Sequence, residues 1–294
     1  MMRTLSVVLI LLLFISCNRG KKSKSLSDSR TSGKTTILVD ESFSRVLNDQ
    51  IEVFTSDYPD AKVTTIAGNE AKILPELLSG KKRMIILSRL LKPSEEYYYK
   101  QKQIAIFSDR FAIDGIALIT NSQNTDTLIT AKEVFDILRG VNTGKKLVFD
   151  NANSSTVRYF MDSAKVTTLP KSGVYTLNTN QDVIKYVAEH KDYIGVLGIN
   201  WLIRNEGDSL ADVAKVKIMA VKGLKGKNFY TPTQNNLING VYPFLRNIYI
   251  INCEGTNSLG TGFANWLNSP RGQLIVLKSG LGPHKMISRD INIR

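Results

Sequence analysis

Cysteine and histidine are scarce in this sequence, and their scarcity excludes several kinds of site. The 294 residues contain two cysteines, Cys17 and Cys253, and two histidines, His190 and His284. Neither a CxxC pair nor a cluster of histidine and cysteine occurs. We therefore expect no metal site and no disulfide framework. Cys253 ends an apolar run, which predicts a buried side chain.

Signatures of catalysis are also missing. The sequence has no GxSxG or HExxH motif, no P-loop, and no GxGxxG that follows a predicted strand. Cys253 has no histidine near it in sequence, and no spacing pairs the acidic residues for acid–base work. We predict a protein that is not an enzyme and that uses no cofactor.

The N-terminal apolar run, residues 5–15, is shorter than the roughly 20 residues that span a bilayer. It follows Arg3 and has the length of a signal-peptide core. The run ends in Phe14-Ile15-Ser16-Cys17, which resembles the lipobox of bacterial lipoproteins. This resemblance implies a signal peptide over residues 1–16 and a lipid, such as palmitate, on Cys17. The domain would then be anchored to a membrane of the cell envelope, facing the periplasm or the outer face.

The residues after the lipobox predict a flexible tether over residues 17–35. Residues 18–35 contain six Lys or Arg and one Asp. Almost no apolar surface is available there to offset the entropy of ordering. Two roles fit the charge: attraction to an anionic lipid surface, or a simple solvated linker.

The formal net charge of +13 fits a nucleic acid, an anionic membrane or a small anionic ligand as partner. Export of the domain argues against nucleic acid. No basic stripe interleaved with aromatic residues is present either, so we expect no nucleic-acid partner.

Strand-like and helix-like segments alternate along the rest of the chain. Residues 36–39 and 62–66 have the pattern of strands, and apolar residues at helical spacing lie between them. Further strands are predicted at 104–107 and 114–120. Such alternation favours an α/β fold with parallel sheets. The remaining length, about 260 residues, is typical of two lobes.

Seven segments resemble, in the same order, the solute-binding proteins of phosphate ABC importers. They lie at residues 77–93, 113–119, 133–140, 154–156, 192–198, 242–247 and 263–282. The resemblance implies a two-lobed, periplasmic-binding-protein-like (type II) α/β fold with two hinge crossings, near residues 114–120 and 242–252.

The same resemblance divides the chain and implies its partners. Lobe 1 would comprise residues 36–116 with 247–294, and lobe 2 residues 117–246. Phosphate or a related oxyanion would bind in the cleft between the lobes, and an ABC permease would receive it. We expect a monomer.

Two turns rich in hydroxyl groups are predicted to bind the ligand. Ser42 and Phe43 follow the first strand, and Ser154, Ser155 and Thr156 begin a later helix. Free N–H groups at a helix N-terminus and nearby hydroxyls can donate to an oxyanion. Serine and threonine also fill such positions as ordinary N-caps. The resemblance favours the ligand role.

Arg89 and Asp114 complete the predicted site. The Arg89 guanidinium could direct two donors at an oxyanion, or form a surface salt bridge instead. Asp114 could accept a hydrogen bond from a protonated ligand oxygen, which would separate hydrogen phosphate from sulfate. Alternatively, it could orient a hinge residue.

Two acidic residues depart from the family's pattern. Glu70 lies close to an expected serine, and Asp150 lies where a basic residue is common. A carboxylate that faces an oxyanion in a desolvated cleft opposes binding. These departures favour a second hypothesis: an envelope sensor or interaction module that has lost phosphate binding or binds a different ligand.

Overall fold

The computed structural model describes residues 28–203 and 208–285. The predicted signal peptide, Cys17 and the first part of the tether lie outside the described residues. The prediction for the last part of the tether is wrong at residues 33–35, which belong to the first strand. Each of these residues has a partner in register on the neighbouring strand, from Gly33 with Ala61 onward. Strand pairing thus orders a segment whose composition is polar.

The first group of elements forms a parallel sheet flanked by helices. Strand β1 lies between β2 and β3, parallel to both. Helix α1 buries Val46, Leu47 and Phe54, the apolar face that the sequence predicts. The elements are β1 (Gly33–Asp40), a 3-10 turn (Glu41–Phe43), α1 (Ser44–Asp57), β2 (Ala61–Gly68), α2 (Glu70–Leu78), β3 (Met84–Leu87) and α3 (Pro93–Gln101).

A single long strand, β4 (Phe107–Asn121), joins the first group to the second. The sequence predicted two separate strands here, which is wrong. Exposed polar residues at the beginning of β4 interrupt its apolar pattern. Up to Gly115, β4 pairs with two strands from the end of the chain, residues 245–252 and 282–283, and from Ile116 onward it pairs with strands of the second group.

The second group repeats the alternation. Strand β6 lies between β7 and β8, parallel to both, and β5, β10 and β11 form a separate small sheet. The elements are β5 (Leu128–Thr130), α4 (Ala131–Leu138), β6 (Lys146–Phe149), α5 (Ser155–Ala164), β7 (Val174–Thr176), α6 (Asn180–Glu189), β8 (Tyr193–Gly198), α7 (Asn200–Ile203), α8 (Asp208–Val213), β9 (Val216–Ile218), β10 (Ala220–Lys222), β11 (Phe229–Tyr230) and α9 (Gln234–Ile238).

The last elements return to the first group. Strand β12 runs antiparallel between β3 and β4, and Phe263 and Trp266 pack against Phe54 of α1. Cys253 is buried just after β12, which confirms the sequence prediction. The elements are β12 (Leu245–Asn252), α10 (Leu259–Leu267), α11 (Pro270–Lys278) and β13 (Gly282–Pro283).

These elements form the predicted α/β fold, in which one curled sheet of ten strands passes through β4. The sequence predicted parallel sheets, but the sheet is parallel only around β1 and β6, because β12 and β4 run antiparallel to their neighbours. Within the described ranges, 28–203 and 208–285, no helix combines the length and apolarity needed to cross a bilayer. The carboxyl end of β1 and the start of α5 come together beside β4 and β12. A cluster of buried polar side chains lies at this point.

Candidate functional site

A buried guanidinium, that of Arg246, lies at the centre of the cluster. Arg246 on β12 is the direct cross-strand neighbour of Asp114 on β4. Its Nε donates to Asp114 Oδ2 at 2.7 Å, and both side chains are almost fully buried. The guanidinium also lies over the ring of Phe43, 4.8 Å from its centroid. Sheet register and an aromatic face therefore fix this cation in one orientation.

The start of helix α5 supplies hydroxyl groups to the same cluster. Ser154 caps the helix, and its side chain accepts from the N–H of Val157 at 3.1 Å. Arg246 Nη1 donates to Ser155 Oγ at 3.0 Å and to Thr156 Oγ1 at 3.3 Å. A helix N-terminus carries partial positive charge, and here it faces a guanidinium. Two positive features this close together favour an anion that contacts both of them.

The turn after β1 brings the other predicted hydroxyl into place. Ser42 Oγ lies 3.5 Å from Ser155 Oγ, so the two serine turns meet although they belong to different parts of the sheet. The Ser42 carbonyl accepts from Asn200 Nδ2 at 3.0 Å and from Trp201 Nε1 at 3.2 Å. Asp40 shapes the turn, because its Oδ1 accepts from the N–H of Ser42 at 3.0 Å.

Asp150 follows β6 and is fully buried. Its Oδ2 accepts from Asn180 Nδ2 at 3.2 Å. Burial raises the pKa of Asp150 to about 7, and the nearby Ser154 hydroxyl and Arg246 charge oppose this rise only in part. Burial also raises the pKa of Asp114, against the opposing effect of Arg246. The cluster thus combines one guanidinium with carboxyl groups whose pKa values are raised by burial.

Several buried polar atoms of the cluster lack a hydrogen-bond partner within the part of the chain that the structure describes. They are Asp40 Oδ2, Asp114 Oδ1, Asp150 Oδ1, Asn180 Oδ1, Asn200 Oδ1 and Arg246 Nη2. Leaving such an atom unpaired costs about 1–3 kcal/mol. This concentration of unpaired donors and acceptors suits a small polar ligand that both accepts and donates hydrogen bonds.

Arg89 is not brought to this cluster. Its guanidinium makes two hydrogen bonds to Glu95, at 2.7 and 2.9 Å, and its Nε donates to Glu70 Oε1 at 2.6 Å. Arg158 of α5 reaches the same carboxylate at 3.1 Å and also donates to Ser88 Oγ at 3.1 Å. The charge of Glu70 is therefore balanced by ion pairs with two arginines. The guanidinium of Arg89 donates to the carboxylates of Glu70 and Glu95 and not to the buried cluster.

A surface cavity of about 500 Å³ lies between α2 and α5 and is lined by Glu70, Ser154 and Arg158. Ser154 belongs to both this cavity and the buried cluster. The ion pair between α2 and α5 thus lies beside a cavity that borders the cluster at Ser154.

Of the predicted site residues, the structure brings together Ser42, Phe43, Asp114, Ser154, Ser155 and Thr156. The cluster also contains Arg246, Asp40, Asn180 and Asn200, which the sequence did not predict; Arg246 is the one that carries positive charge. Its signal was present, because Arg246 shares the period-2 spacing of the buried residues Ile248 and Ile250 and therefore lies on the same inward face of β12. A charged residue at an inward position of a strand indicates a buried polar site.

Comparison with known proteins identifies the class of protein to which this chain belongs. The family model described as PBP superfamily domain matches residues 25–271. The chain belongs to this superfamily, which confirms the predicted periplasmic-binding-protein fold.

Three individual proteins that this chain resembles are between 19% and 23% identical to it in sequence. The phosphate-binding protein PstS of Pseudomonas aeruginosa is 23% identical over 287 residues, covering 87% of this chain and 84% of that protein. The X-ray structure of a substrate-binding protein from Clostridium perfringens with bound phosphate has a TM-score of 0.69 and 21% identity, covering 86% of this chain and 100% of that one. An ABC-type phosphate transport receptor from Vibrio cholerae has a TM-score of 0.64 and 19% identity, covering 85% and 100%. These names are of binding and transport proteins, in agreement with the prediction that this chain is not an enzyme.

Proposed function

We propose that this chain is an extracytoplasmic solute-binding lipoprotein that binds phosphate or a related oxyanion for an ABC importer. The observation that carries the proposal is the position of Arg246, which is held by Asp114 and directed at the hydroxyls that begin α5. The similarity to phosphate-binding proteins points to the same ligand.

The donors that would hold the oxyanion come from three places. Arg246 Nη2 is buried and has no partner among the described residues. The first turn of α5 carries N–H groups that have no intrahelical acceptor. The hydroxyls of Ser42 and Thr156 lie beside them. Hydrogen bonds from such donors to a charged oxygen are stronger than neutral ones.

The acceptors would select the protonation state of the ligand. Asp114 Oδ1 is buried and unpaired within the described chain, so it would accept a hydrogen bond from a protonated ligand oxygen. Hydrogen phosphate has such a proton at neutral pH and sulfate does not. Asp150, whose pKa is raised to about 7 by burial, would add repulsion once it ionises.

The proposed cleft lies between two lobes, residues 36–116 with 247–294 and residues 117–246. The change of pairing partners along β4, between Gly115 and Ile116, supports this division. Ser42 would belong to lobe 1 and Ser155 to lobe 2, so a ligand between them would hold the lobes closed by a hinge motion.

The proposed anchor is a lipid on Cys17 after removal of residues 1–16. Cys17→Ser should leave an unprocessed precursor that takes up no labelled palmitate. Labelling equal to that of wild type would contradict the anchor.

Calorimetric titration of the purified protein with phosphate and with sulfate tests the ligand. We expect phosphate to bind and sulfate to bind far more weakly. Arg246→Met should weaken phosphate binding at least tenfold, since one charge-assisted hydrogen bond contributes about 1.5–3 kcal/mol. Arg271→Met is the matched control, because Arg271 is exposed and pairs with Asp57 on the surface.

A wild-type protein that binds neither anion would contradict this proposal. In that case the buried carboxyl groups of Asp40, Asp114 and Asp150 favour the second function, an envelope sensor or interaction module on the same fold.

A further inference from the structure

A strongly basic face lies at the opposite ends of the strands that lead to the polar cluster. Five cations line a surface cavity of about 500 Å³ together with three threonines and one acid, Glu254. The cations are Lys34, Lys62, Lys81, Lys82 and Arg83, and we call them the basic face. Four of the five are exposed, and Lys82 is half-buried.

Protection of a sheet edge does not explain this charge. Lysine on an edge strand prevents pairing with other chains, and Lys62 lies on the edge strand β2. Lys34, however, lies on the interior strand β1, and the other three cations lead into the interior strand β3. Lys34 and Lys62 are also paired in register, and like charges in that position are destabilising.

The acids of this region do not balance the cations. Glu254 already accepts hydrogen bonds from Thr35 Oγ1 at 2.5 Å and from the N–H of Gly260 at 3.0 Å. Within residues 28–203 and 208–285, the basic face makes one ion pair, between Lys81 and Glu76 at 4.0 Å. The remaining charge faces solvent and suits a surface with many negative charges.

The basic face lies where the N-terminal segment of the chain joins the domain. The chain enters β1 at Gly33, next to Lys34, and the Gly33 N–H donates to the carbonyl of Asp60 beside Lys62. Five further basic residues lie between Cys17 and this point in the sequence, at positions 19, 21, 22, 24 and 30. The N-terminal segment that would carry the anchor therefore joins the domain at its basic face.

We propose that the basic face docks on the anionic phospholipid headgroups of the membrane that carries the protein. This inference rests on the envelope location in the proposed function, but not on the identity of the solute. Strand β1 has eight residues and is about 25 Å long at the usual rise per residue. The polar cluster lies at the other end of β1, so docking would hold it about 25 Å from the headgroups.

The test uses the full chain reconstituted on vesicles of phosphatidylcholine, alone or mixed with phosphatidylglycerol. A fluorophore is attached at Thr64→Cys, beside the basic face, or at Asn153→Cys, near the start of α5, and energy transfer to a lipid-borne acceptor is measured. On anionic vesicles, transfer from position 64 should exceed transfer from position 153. High salt should abolish the difference, because it screens exposed charges.

Charge variants make the test specific. Lys34→Gln, Lys62→Gln and Arg83→Gln, combined, remove three cations from the basic face. Each cation near an anionic surface changes the docking equilibrium roughly fivefold, and three change it about a hundredfold. The control combines Lys171→Gln, Lys225→Gln and Lys227→Gln, which remove the same charge from exposed positions elsewhere and should leave docking unchanged.

Equal transfer from positions 64 and 153 on anionic vesicles, or equal losses in the two triple variants, would overturn the docking proposal. Flotation on neutral vesicles reports the lipid anchor separately. A chain that does not float with neutral vesicles would contradict the lipid anchor. Flotation with anionic vesicles would still test whether the basic face binds anionic headgroups.

Discussion

Asp150→Asn should remove a pH-dependent loss of stability. The Asp150 carboxyl has its pKa raised from 3.8 to about 7 by burial. The folded protein therefore holds this proton more tightly than the unfolded chain, and unfolding releases it between these two pH values. The free energy of unfolding of the wild type should fall as pH rises through this window. At about 1.4 kcal/mol per pH unit, the whole loss is about 4 kcal/mol.

The assay is urea denaturation of wild type and Asp150→Asn at a series of pH values from 4 to about 8. Asparagine stays neutral and can still accept from Asn180, so the variant should gain stability relative to wild type as pH rises. The gain should level off above the pKa. Asp192→Asn is the control, because Asp192 is exposed and should leave the pH profile unchanged. Parallel pH profiles for wild type and Asp150→Asn would refute the reasoning.

Two further variants test the surroundings of the cluster by calorimetry with phosphate. Glu70→Ser should tighten binding, because it removes a carboxylate near the cavity and frees Arg89 and Arg158 from it; unchanged affinity would show that Glu70 exerts no effect on the ligand. Thr156→Ala should weaken binding less than Arg246→Met does, because the N–H groups of the first turn of α5 survive the change; a larger loss would place the main donor at the Thr156 hydroxyl.

The fold could be predicted from the sequence because it depends on patterns that are local. Strand and helix periods alternate, and the turns between them carry their own signals, such as the Thr130 cap of α4. The extent of β4 could not be predicted in this way. Ser108 and Asp109, near its start, are exposed and polar, and only pairing with β12 shows that they continue the strand.

The residues of the cluster that begin helices could be predicted from the sequence. The charged residues that pair across large separations in the sequence could not. Ser42 and the turn at residues 154–156 follow strands, so their positions could be inferred. The pairing of Arg89 with Glu70 and Glu95, rather than with a ligand, depends on three segments that meet only in the folded chain. The role of Arg246 likewise depends on its register with Asp114, 132 residues away in the sequence.

A crystal structure of the protein grown with phosphate tests the central claim most directly. We predict phosphate density in contact with both Ser42 and the Ser155–Thr156 turn, with Arg246 Nη2 and Asp114 Oδ1 within hydrogen-bond distance of its oxygens. Phosphate bound elsewhere, with Arg246 Nη2 still unpaired, would contradict the account.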